Sequence, residues 1–153
     1  MKKTAIILSS LLAMTTPVIA ADFATAQDAE ALVAKLVKAV TADSGATFKE
    51  ITAKDAKWVH GDLYPWSLDL NGHVLAHGAT EKLVGKDLID LQDIDGKPFV
   101  KEYVEATKAK GKSWTDFRYT DPVTKKVLPK SAYCEKVHLK SGDILVCAGI
   151  YKR

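Results

Sequence analysis

The stretch that decides the fold is GDLYPWSLDLNGHVLAHG, residues 61–78. Two apolar runs, 63–69 and 73–78, alternate on either side of Asn71-Gly72. Asn-Gly between alternating apolar residues is the strongest short-range hairpin signal, because a type I′ turn needs a positive φ at both central residues. The stretch therefore predicts a β-hairpin in which Asn71 and Gly72 form the turn.

The predicted turn decides which side chains share a face of the hairpin, because strand side chains alternate with a period of two. One face would carry Tyr64, Trp66, Leu68, Leu75 and His77, with Trp66 opposite His77 and Leu68 opposite Leu75. The other face would carry Ser67, Asp69, Val74 and Ala76. An apolar wall with a few polar groups is typical of small-ligand sites. Each aromatic residue taken alone is equally compatible with an ordinary core position.

A helix precedes this hairpin. Residues 25–43 begin with a capping pattern, Thr25 followed three residues later by Asp28. One apolar stripe follows at helical spacing: Ala29, Leu32, Val33, Leu36, Val37 and Val40. Asp43-Ser44-Gly45 is expected to end this helix, and residues 46–60 to form a second, short helical piece.

The region after the hairpin contains a long connection, a helix and three strands. Residues 80–95 show no strand period, and residues 97–110 have helical spacing between Pro98 and Gly111. Residues 113–119, with a weak continuation at 127–128, then 131–139 and 144–151, read as strands. The order predicts an α+β fold, with an antiparallel sheet of about five strands and a helix on at least one face.

The first twenty residues, MKKTAIILSSLLAMTTPVIA, have the pattern of a secretory signal peptide. Lys2 and Lys3 form a positive n-region, an apolar run follows, and residues 18–20 form a small-residue cleavage pattern. We expect cleavage after Ala20 and one exported domain over residues 21–153, located in the periplasm. No later stretch approaches about 18 consecutive apolar residues, the length that a membrane span needs.

The charge of the chain argues against a nucleic-acid partner. Loss of Lys2 and Lys3 would lower the net charge from +3 to +1, because twenty basic residues would then face nineteen acidic ones. Basic and acidic residues are interleaved along the sequence. Nucleic-acid binding needs a basic patch that neutralises phosphates, and the sequence shows none.

The two cysteines, Cys134 and Cys147, lie on strand-like runs joined near Ser141-Gly142. An even number of cysteines in an exported chain favours a disulfide. A turn centred between residues 140 and 141 would place the cysteines directly opposite each other, and a turn centred on Ser141-Gly142 would make them diagonal neighbours. Both registers put them on one face, so we predict a disulfide, with two buried free thiols as the alternative.

Neither hydrolase nor metal chemistry has a clear pattern in the sequence, so we expect no enzyme and no cofactor. Ser67 is expected on the opposite hairpin face from His77, and no G-x-S-x-G motif is present. His73 and His77 share a face but would lie about 13 Å apart, too far to ligate one ion. A metal-binding protein and a small hydrolase that uses His77 remain the alternatives.

Several short motifs follow one another along the chain, each occurring once. They are Tyr64-x-Trp66-x-x-Asp69-x-x-Gly72, Ala76-His77, Gly85-Lys86-Asp87-Leu88, Asp93-x-x-Gly96-Lys97, Gly111-x-x-Trp114, Pro129-Lys130-Ser131-x-Tyr133 and Gly149-Ile150-Tyr151. In this order and spacing the chain resembles the single Cache domain, an extracytoplasmic relative of the PAS fold that bacterial chemoreceptors and sensor kinases use. The similarity spans roughly residues 26–152.

The resemblance implies a long N-terminal helix behind a central sheet, with a small ligand between the other face of the sheet and the connecting helices. The ligand would be a small organic acid, an amino acid or a related metabolite. The implied pocket residues are Tyr64, Trp66, His77, Trp114, Phe117, Lys130 and Tyr133. Lys130 suits a carboxylate as a point charge, and a solvated lysine at a strand entry is the alternative.

The resemblance also implies partners. Cache domains in receptors are flanked by transmembrane helices and a cytoplasmic output domain, whereas this sequence ends at Tyr151-Lys152-Arg153. We therefore expect a stand-alone, secreted sensory module for signal transduction or chemotaxis that acts with a separate membrane receptor or sensor kinase. A free binding protein is the alternative. The helix at 25–43 is a candidate homodimer face, unless the sheet covers its apolar stripe.

Overall fold

The computed structural model describes residues 23–153, so the predicted signal peptide and its cleavage site lie outside the described residues. The elements are α1 (Ala26–Thr52), β1 (Pro65–Asp69), β2 (Val74–His77), a single 3-10 turn (Glu81–Leu83), α2 (Phe99–Lys110), β3 (Lys112–Thr120), β4 (Val127–Leu139) and β5 (Gly142–Tyr151). The strands form one antiparallel sheet in the order β2-β1-β5-β4-β3. The predicted α+β fold is confirmed.

Helix α1 begins and bends where the sequence indicates. Thr25 and Asp28 form a capping box, in which each side chain accepts from the backbone N–H of the other. The backbone of Asp43 is non-helical, with φ −155° and ψ 95°. Its carboxylate accepts the N–H of Ala46 at 2.9 Å, so it caps the next helical segment. The predicted end at residue 43 is therefore a kink, and the second segment ends at Thr52.

The hairpin differs from its predicted register. Trp66 lies opposite His77 as expected, but Leu68 lies opposite Val74 because β2 contains one extra residue, a β-bulge. Leu75 therefore packs on the α1 side, and Val74 lines the other face. The predicted pairing of Leu68 with Leu75, and the predicted faces of Leu75 and Val74, are wrong.

The turn of the hairpin explains the bulge. Gly72 N–H donates to the carbonyl of Asp69 at 3.1 Å, and the Asp69 carboxylate accepts the N–H groups of Asn71 and His73. An aspartate that binds the loop backbone in this way favours a longer turn over the two-residue type I′ turn. Gly72 has φ +87°, and a Cβ there would lie 2.8 Å from Cβ of Ile89. Glycine thus lets the connection at 86–89 lie against the hairpin.

The sheet separates two apolar layers. The stripe of α1 packs against one face, together with Val137, Ile144, Val146 and Ala148. Helix α2 and the connection before it cover the other face, through residues that include Phe99, Val100 and Tyr103. Among residues 23–153, no helix combines the length and the apolar character that crossing a bilayer requires.

The cysteines pair directly across β4 and β5. The register places Cys134 opposite Cys147, the two residues are fully buried, and they form a disulfide. The tight turn at Lys140-Ser141 sets this register, which is the first of the two predicted alternatives. The disulfide prediction is confirmed, and the bond joins β4 to β5, two of the three inner strands, on the α2 face of the sheet.

Replacing both cysteines, Cys134→Ala with Cys147→Ala, should lower the free energy of unfolding by about 2–4 kcal/mol. The reason is that the bond closes a short loop and removes chain entropy from the unfolded state. Urea unfolding followed by tryptophan fluorescence measures the change. A Thr25→Ala variant, which loses a helix cap, should lower it by only about 1 kcal/mol. Equal unfolding free energies for the oxidised protein and the double variant would contradict the prediction.

Candidate functional site

A small cavity lies between the α2 face of the sheet and the layer that covers it. Its volume is about 30 Å³, which is room for about two water molecules. Strand residues form its floor, and residues of the connection and α2 form its roof. The lining residues are Tyr64, Trp66, Val74, His77, Leu83, Leu88, Leu91, Phe99, Val100, Tyr103, Phe117, Tyr119 and Lys130.

Among residues 23–153, Lys130 is the only lysine or arginine that lines this cavity. Its side chain is 1% exposed, and its Nζ lies 2.6 Å from the Tyr64 hydroxyl and 3.4 Å from the Tyr151 hydroxyl. No carboxylate among residues 23–153 forms a salt bridge with it. A buried ammonium without an acidic partner is rare, because desolvation strongly disfavours the charged form.

Aromatic rings surround the Lys130 ammonium. Nζ lies 3.9 Å from the ring centroid of Tyr64, 4.6 Å from that of Tyr151, 4.8 Å from that of Trp66 and 5.8 Å from that of Tyr119. Each ring face offers partial negative charge to a cation at this distance. The rings therefore compensate part of the lost hydration of the ammonium, without neutralising its charge.

The hydroxyl groups around Lys130 form a directed chain. Tyr151 donates its hydroxyl proton to the carbonyl of Thr120 at 2.8 Å. Its oxygen can then only accept from Tyr64, 3.1 Å away, and Tyr64 in turn accepts from Lys130. An ammonium has three N–H donors, so at least one donor of Lys130 has no protein acceptor in the described part of the chain. Burial lowers the pKa of Lys130 well below its usual value, and Asp62 and Asp121 partly oppose that shift.

Gly149 makes room for the Lys130 side chain. A Cβ at residue 149 would lie 2.8 Å from Cε of Lys130 and 2.7 Å from the carbonyl oxygen of Ser131. Gly149 is the cross-strand partner of Ala132, so the lysine stem passes directly over the backbone of β5. Any larger residue would displace the stem, and with it the ammonium.

His77 offers a second hydrogen-bond donor. Its Nδ1 accepts the backbone N–H groups of Ala79 at 3.2 Å and Thr80 at 3.0 Å. Nδ1 therefore carries no proton, and the neutral ring carries its proton on Nε2. Burial, with the charges of Lys130 and Lys54, lowers the pKa of His77 to about 3. The imidazole stays neutral at physiological pH and presents an N–H donor in the wall of the cavity.

Comparison with known families and structures identifies the fold. The sequence model of the family described as "Single Cache domain 2" matches residues 1–152. The chain belongs to this family. Single Cache domains are extracytoplasmic, ligand-binding sensor domains, so the predicted sensory module is confirmed at this level. The comparison with curated proteins gives no match.

Three solved structures share the Cache fold. A methyl-accepting chemotaxis protein from Vibrio parahaemolyticus RIMD 2210633 is 22% identical, with a TM-score of 0.66 over 82% of this chain and 86% of that one. A periplasmic sensor domain of a chemotaxis protein is 24% identical, with a TM-score of 0.62 over 83% and 90%. A Cache chemosensory domain described as a basis for carboxylic acid recognition is 23% identical, with a TM-score of 0.63 over 83% and 88%.

The structure brings five of the seven predicted pocket residues together. Tyr64, Trp66, His77, Phe117 and Lys130 all line the cavity of this Cache domain. The Tyr64 and His77 rings lie 5.4 Å apart, and the Trp66 and His77 rings are stacked at 6.3 Å. Whether these residues bind a ligand stays a prediction.

Trp114 and Tyr133 do not line the cavity, so their predicted place in the pocket is wrong. They pair with each other across β3 and β4, with ring centroids 5.1 Å apart, and Trp114 Nε1 donates to Glu30 of α1 at 3.3 Å. Trp114 is three residues from Phe117, and Tyr133 is three residues from Lys130. Along a continuous strand an odd separation places side chains on opposite faces. Both residues therefore belong to the α1 side.

Several residues in or next to the cavity were not predicted, and two of them could have been found from the strand register. Tyr119 follows Phe117 by two residues on β3 and so shares its face. Tyr151, which contacts the ammonium, is paired with Lys130 in the same register that pairs the cysteines. The roof residues had no such signal, because their position depends on how α2 and the connection fold onto the sheet: Leu83, Leu88, Leu91, Phe99, Val100 and Tyr103.

The structure keeps Ser67 and His77, the residues weighed for a hydrolase, on opposite faces of the hairpin. Ser67 lies on the other face of β1 from Trp66, and its hydroxyl donates to the carbonyl of Leu145 at 2.8 Å. The Nδ1 lone pair of His77 is occupied by two backbone N–H groups. Over residues 23–153, no group of three or more His, Cys, Asp and Glu side chains is arranged to hold a metal ion.

Acid should destabilise this Cache domain through His77. Below pH about 6.5 the unfolded chain takes up a proton on this residue, whereas the folded protein takes it up only near pH 3. The unfolded state thus binds more protons, and stability falls as the pH falls across that window. Between pH 7 and pH 5 we expect His77 to account for a loss of about 2 kcal/mol in the free energy of unfolding.

Urea unfolding at several pH values, compared with His77→Asn, measures this contribution. Asparagine keeps an acceptor near the position of Nδ1 and does not titrate, so the variant should show a shallower loss between pH 7 and pH 5. His60→Asn, at an exposed histidine, is the control and should keep the wild-type slope. A wild-type slope in His77→Asn would show that the folded protein protonates this imidazole.

Proposed function

We propose that this Cache domain is a periplasmic sensor for a small monocarboxylate, and that the carboxylate forms an ion pair with Lys130. One observation carries the proposal: within residues 23–153, the ammonium of Lys130 is buried at the cavity without an acidic partner, and one of its N–H donors has no protein acceptor. A bound carboxylate would supply both the missing charge and the missing acceptor. One similar structure is described as a basis for carboxylic acid recognition, which supports the same ligand class.

The polar groups of the cavity favour an anion over an amino acid. Lys130 and His77 both present N–H donors, and the lining residues from the described part of the chain include no Asp or Glu. The ammonium group of an amino acid would therefore lie in the same small cavity as the Lys130 ammonium, without a counter-charge. A monocarboxylate places its single charge at Lys130 and its apolar end against the aromatic wall.

The size of the cavity favours a short ligand. A volume of about 30 Å³ fits only a few non-hydrogen atoms. Phe99 and Phe117 are stacked with ring centroids 4.3 Å apart, so they close one side of the cavity with rigid groups. We therefore expect the shortest acids, such as acetate, to bind better than longer acids.

Acetate should raise the melting temperature of the domain, whereas acetamide should not. The two molecules have nearly the same shape, so the comparison isolates the carboxylate charge. Lys130→Met should abolish the acetate effect, because it keeps the buried stem and removes the charge. Thermal shift and isothermal titration calorimetry measure both results.

Lys130→Met should stay folded, which keeps this test interpretable. Removing a buried, unpaired cation should raise the unfolding free energy, measured without added acid, by about 1 kcal/mol or more. Lys140→Met, at an exposed turn residue, is the matched control and should bind acetate normally. Unchanged acetate affinity in Lys130→Met would refute the proposal. A shift with a divalent cation and with no acid would favour the metal-binding alternative.

We further propose that the domain acts with a membrane signalling protein, either a receptor or a sensor kinase. Two of the similar structures belong to chemotaxis proteins, which supports such a partner. The homodimer through α1 has less support, because the sheet covers the apolar stripe of this helix. It stays a prediction that sedimentation velocity can test.

Cross-linking in intact cells tests the partner. A photoreactive amino acid at an exposed position of α1 should give one adduct with a membrane protein, and acetate should change its yield. The same probe at exposed Lys140 is the control for non-specific contact. Adducts that are equally strong at both positions and insensitive to acetate would contradict a specific signalling contact.

A further inference from the structure

Arg153 joins two buried aspartates next to the ligand cavity. Its Nη1 lies 2.7 Å from Oδ2 of Asp62, and its Nη2 lies 2.8 Å from Oδ2 of Asp121. Asp62 is 3% exposed and Asp121 is fully buried. The guanidinium also stacks on the ring of Phe23, 3.6 Å from its centroid. We call Arg153, Asp62 and Asp121 the arginine cluster.

The arginine cluster is built from the same chain segments that hold the Lys130 ammonium. Asp62 precedes Tyr64 by two residues, and Arg153 follows Tyr151 by two residues. Asp121 directly follows Thr120, the carbonyl of which accepts the hydroxyl of Tyr151. Every group in the hydroxyl chain of Lys130 therefore lies within two residues of a member of the cluster. The two sets of groups therefore share short segments of backbone, and we expect a shift of one set to be felt by the other.

The arginine cluster also sets the charge near the Lys130 site. Two carboxylates and one guanidinium leave a net charge of −1, which is close to Lys130 but forms no salt bridge with it. The Asp121 carboxylate stays ionised because it also accepts the N–H groups of Val123 and Thr124 and the hydroxyl of Thr124. Without the guanidinium, a charge of −2 would face the cavity from behind the tyrosines.

We propose that Arg153 is a positioning residue that sets the affinity of the Lys130 site for anions by neutralising one of the charges of Asp62 and Asp121. The ligand class rests on the proposed function, but the electrostatic coupling does not. Because coupling between two sites is reciprocal, an anion at Lys130 stabilises Arg153 in its place by the same factor. The occupancy of the cavity is thereby linked to the residues that follow β5.

The same coupling reaches the residues before α1. The second oxygen of Asp62, Oδ1, accepts the N–H of Ala24 at 3.3 Å, and Phe23 lies under the guanidinium. The arginine cluster thus ties the segment that precedes α1 to the segment that follows β5. If the salt bridge between Arg153 and Asp62 weakens or strengthens, we expect the contacts of both segments to weaken or strengthen with it.

The titratable and charged groups around Lys130 come from several elements, and the experiment must separate them. Beyond the arginine cluster they are Tyr64 before β1, His77 of β2, Tyr103 of α2, Tyr119 of β3 and Tyr151 of β5. Burial raises the pKa of each of these tyrosines, and His77 is neutral above about pH 3. Near neutral pH, the variants below therefore differ in the net charge of the arginine cluster.

The first experiment measures the pKa of Lys130 without any ligand. Proteins labelled with ¹³C at lysine Cε are titrated by NMR, and Lys130→Met assigns the signal. Arg153→Gln should raise the pKa of Lys130, because it removes a nearby positive charge. Asp62→Asn should lower it, because it removes a negative one. Lys140→Gln removes the same charge as Arg153→Gln at the far end of β4 and should leave the pKa unchanged.

The second experiment measures acetate affinity by calorimetry at a pH where all variants keep Lys130 protonated. Arg153→Gln should weaken acetate binding about three- to tenfold, the size expected for one charge that is close but not in contact. Asp62→Asn should tighten binding, and Arg153→Lys, which keeps the charge, should stay close to wild type. Circular dichroism confirms that each variant is folded.

Arg153→Gln and Asp62→Asn should change acetate affinity in opposite directions, which separates an electrostatic effect from a loss of structure. Weaker binding in both Arg153→Gln and Asp62→Asn would show general loosening and would overturn the inference. An unchanged pKa of Lys130 in Arg153→Gln would overturn it as well. If the wild-type protein binds no acetate, the proposed function fails, while the titration of Lys130 still decides the role of the arginine cluster.

Discussion

The burial of one ammonium group is the constraint on which this structure depends. Lys130 lies on β4, which is flanked by β3 and β5. Its aliphatic stem packs against the backbone of β5 at Gly149. A buried charge is tolerated only where dipoles and partners replace its lost hydration. Three strands and the residue before β1 supply them here, as hydroxyl groups and ring faces. Tyr64 and Trp66, at the start of the β1–β2 hairpin, therefore both pack in the core and contact the Lys130 ammonium.

The sheet can meet this constraint because it separates two different environments. Its α1 face is packed mostly with aliphatic residues, whereas its α2 face carries a denser set of aromatic residues, hydroxyl groups and the Lys130 ammonium. The order β1-β5-β4-β3 brings Tyr64, Tyr151, Lys130 and Tyr119 together from four parts of the sequence. The disulfide between β4 and β5 lies on the same face and fixes the register that pairs Lys130 with Tyr151. The covalent bond between β4 and β5 therefore also aligns the site.

Much of this architecture could be predicted because it follows from local periodicity. The stripe and cap of α1, the hairpin around Asn71-Gly72 and the pairing of the cysteines each depend on residues close in sequence. The bulge at Leu75 could not be predicted, because it depends on how the Asp69 carboxylate competes for the loop N–H groups. The error at Trp114 and Tyr133 is different, since the alternation of strand side chains excludes them from the face of Phe117 and Lys130.

The arrangement around Lys130 suggests how a bound ligand would shift the conformation of a sensor domain. A ligand shifts a conformational equilibrium only by the difference in its affinity for the two states. A cation that is already paired would gain little from an added carboxylate, whereas an unpaired buried ammonium gains a full counter-charge in a medium of low dielectric constant. If a carboxylate binds Lys130 as proposed, the gain would be complete only with the roof closed over it, because water would screen the pair. Binding energy would then be largest in the closed state, and the ligand would act on the residues that line the roof, from α2 and the connection at 80–95.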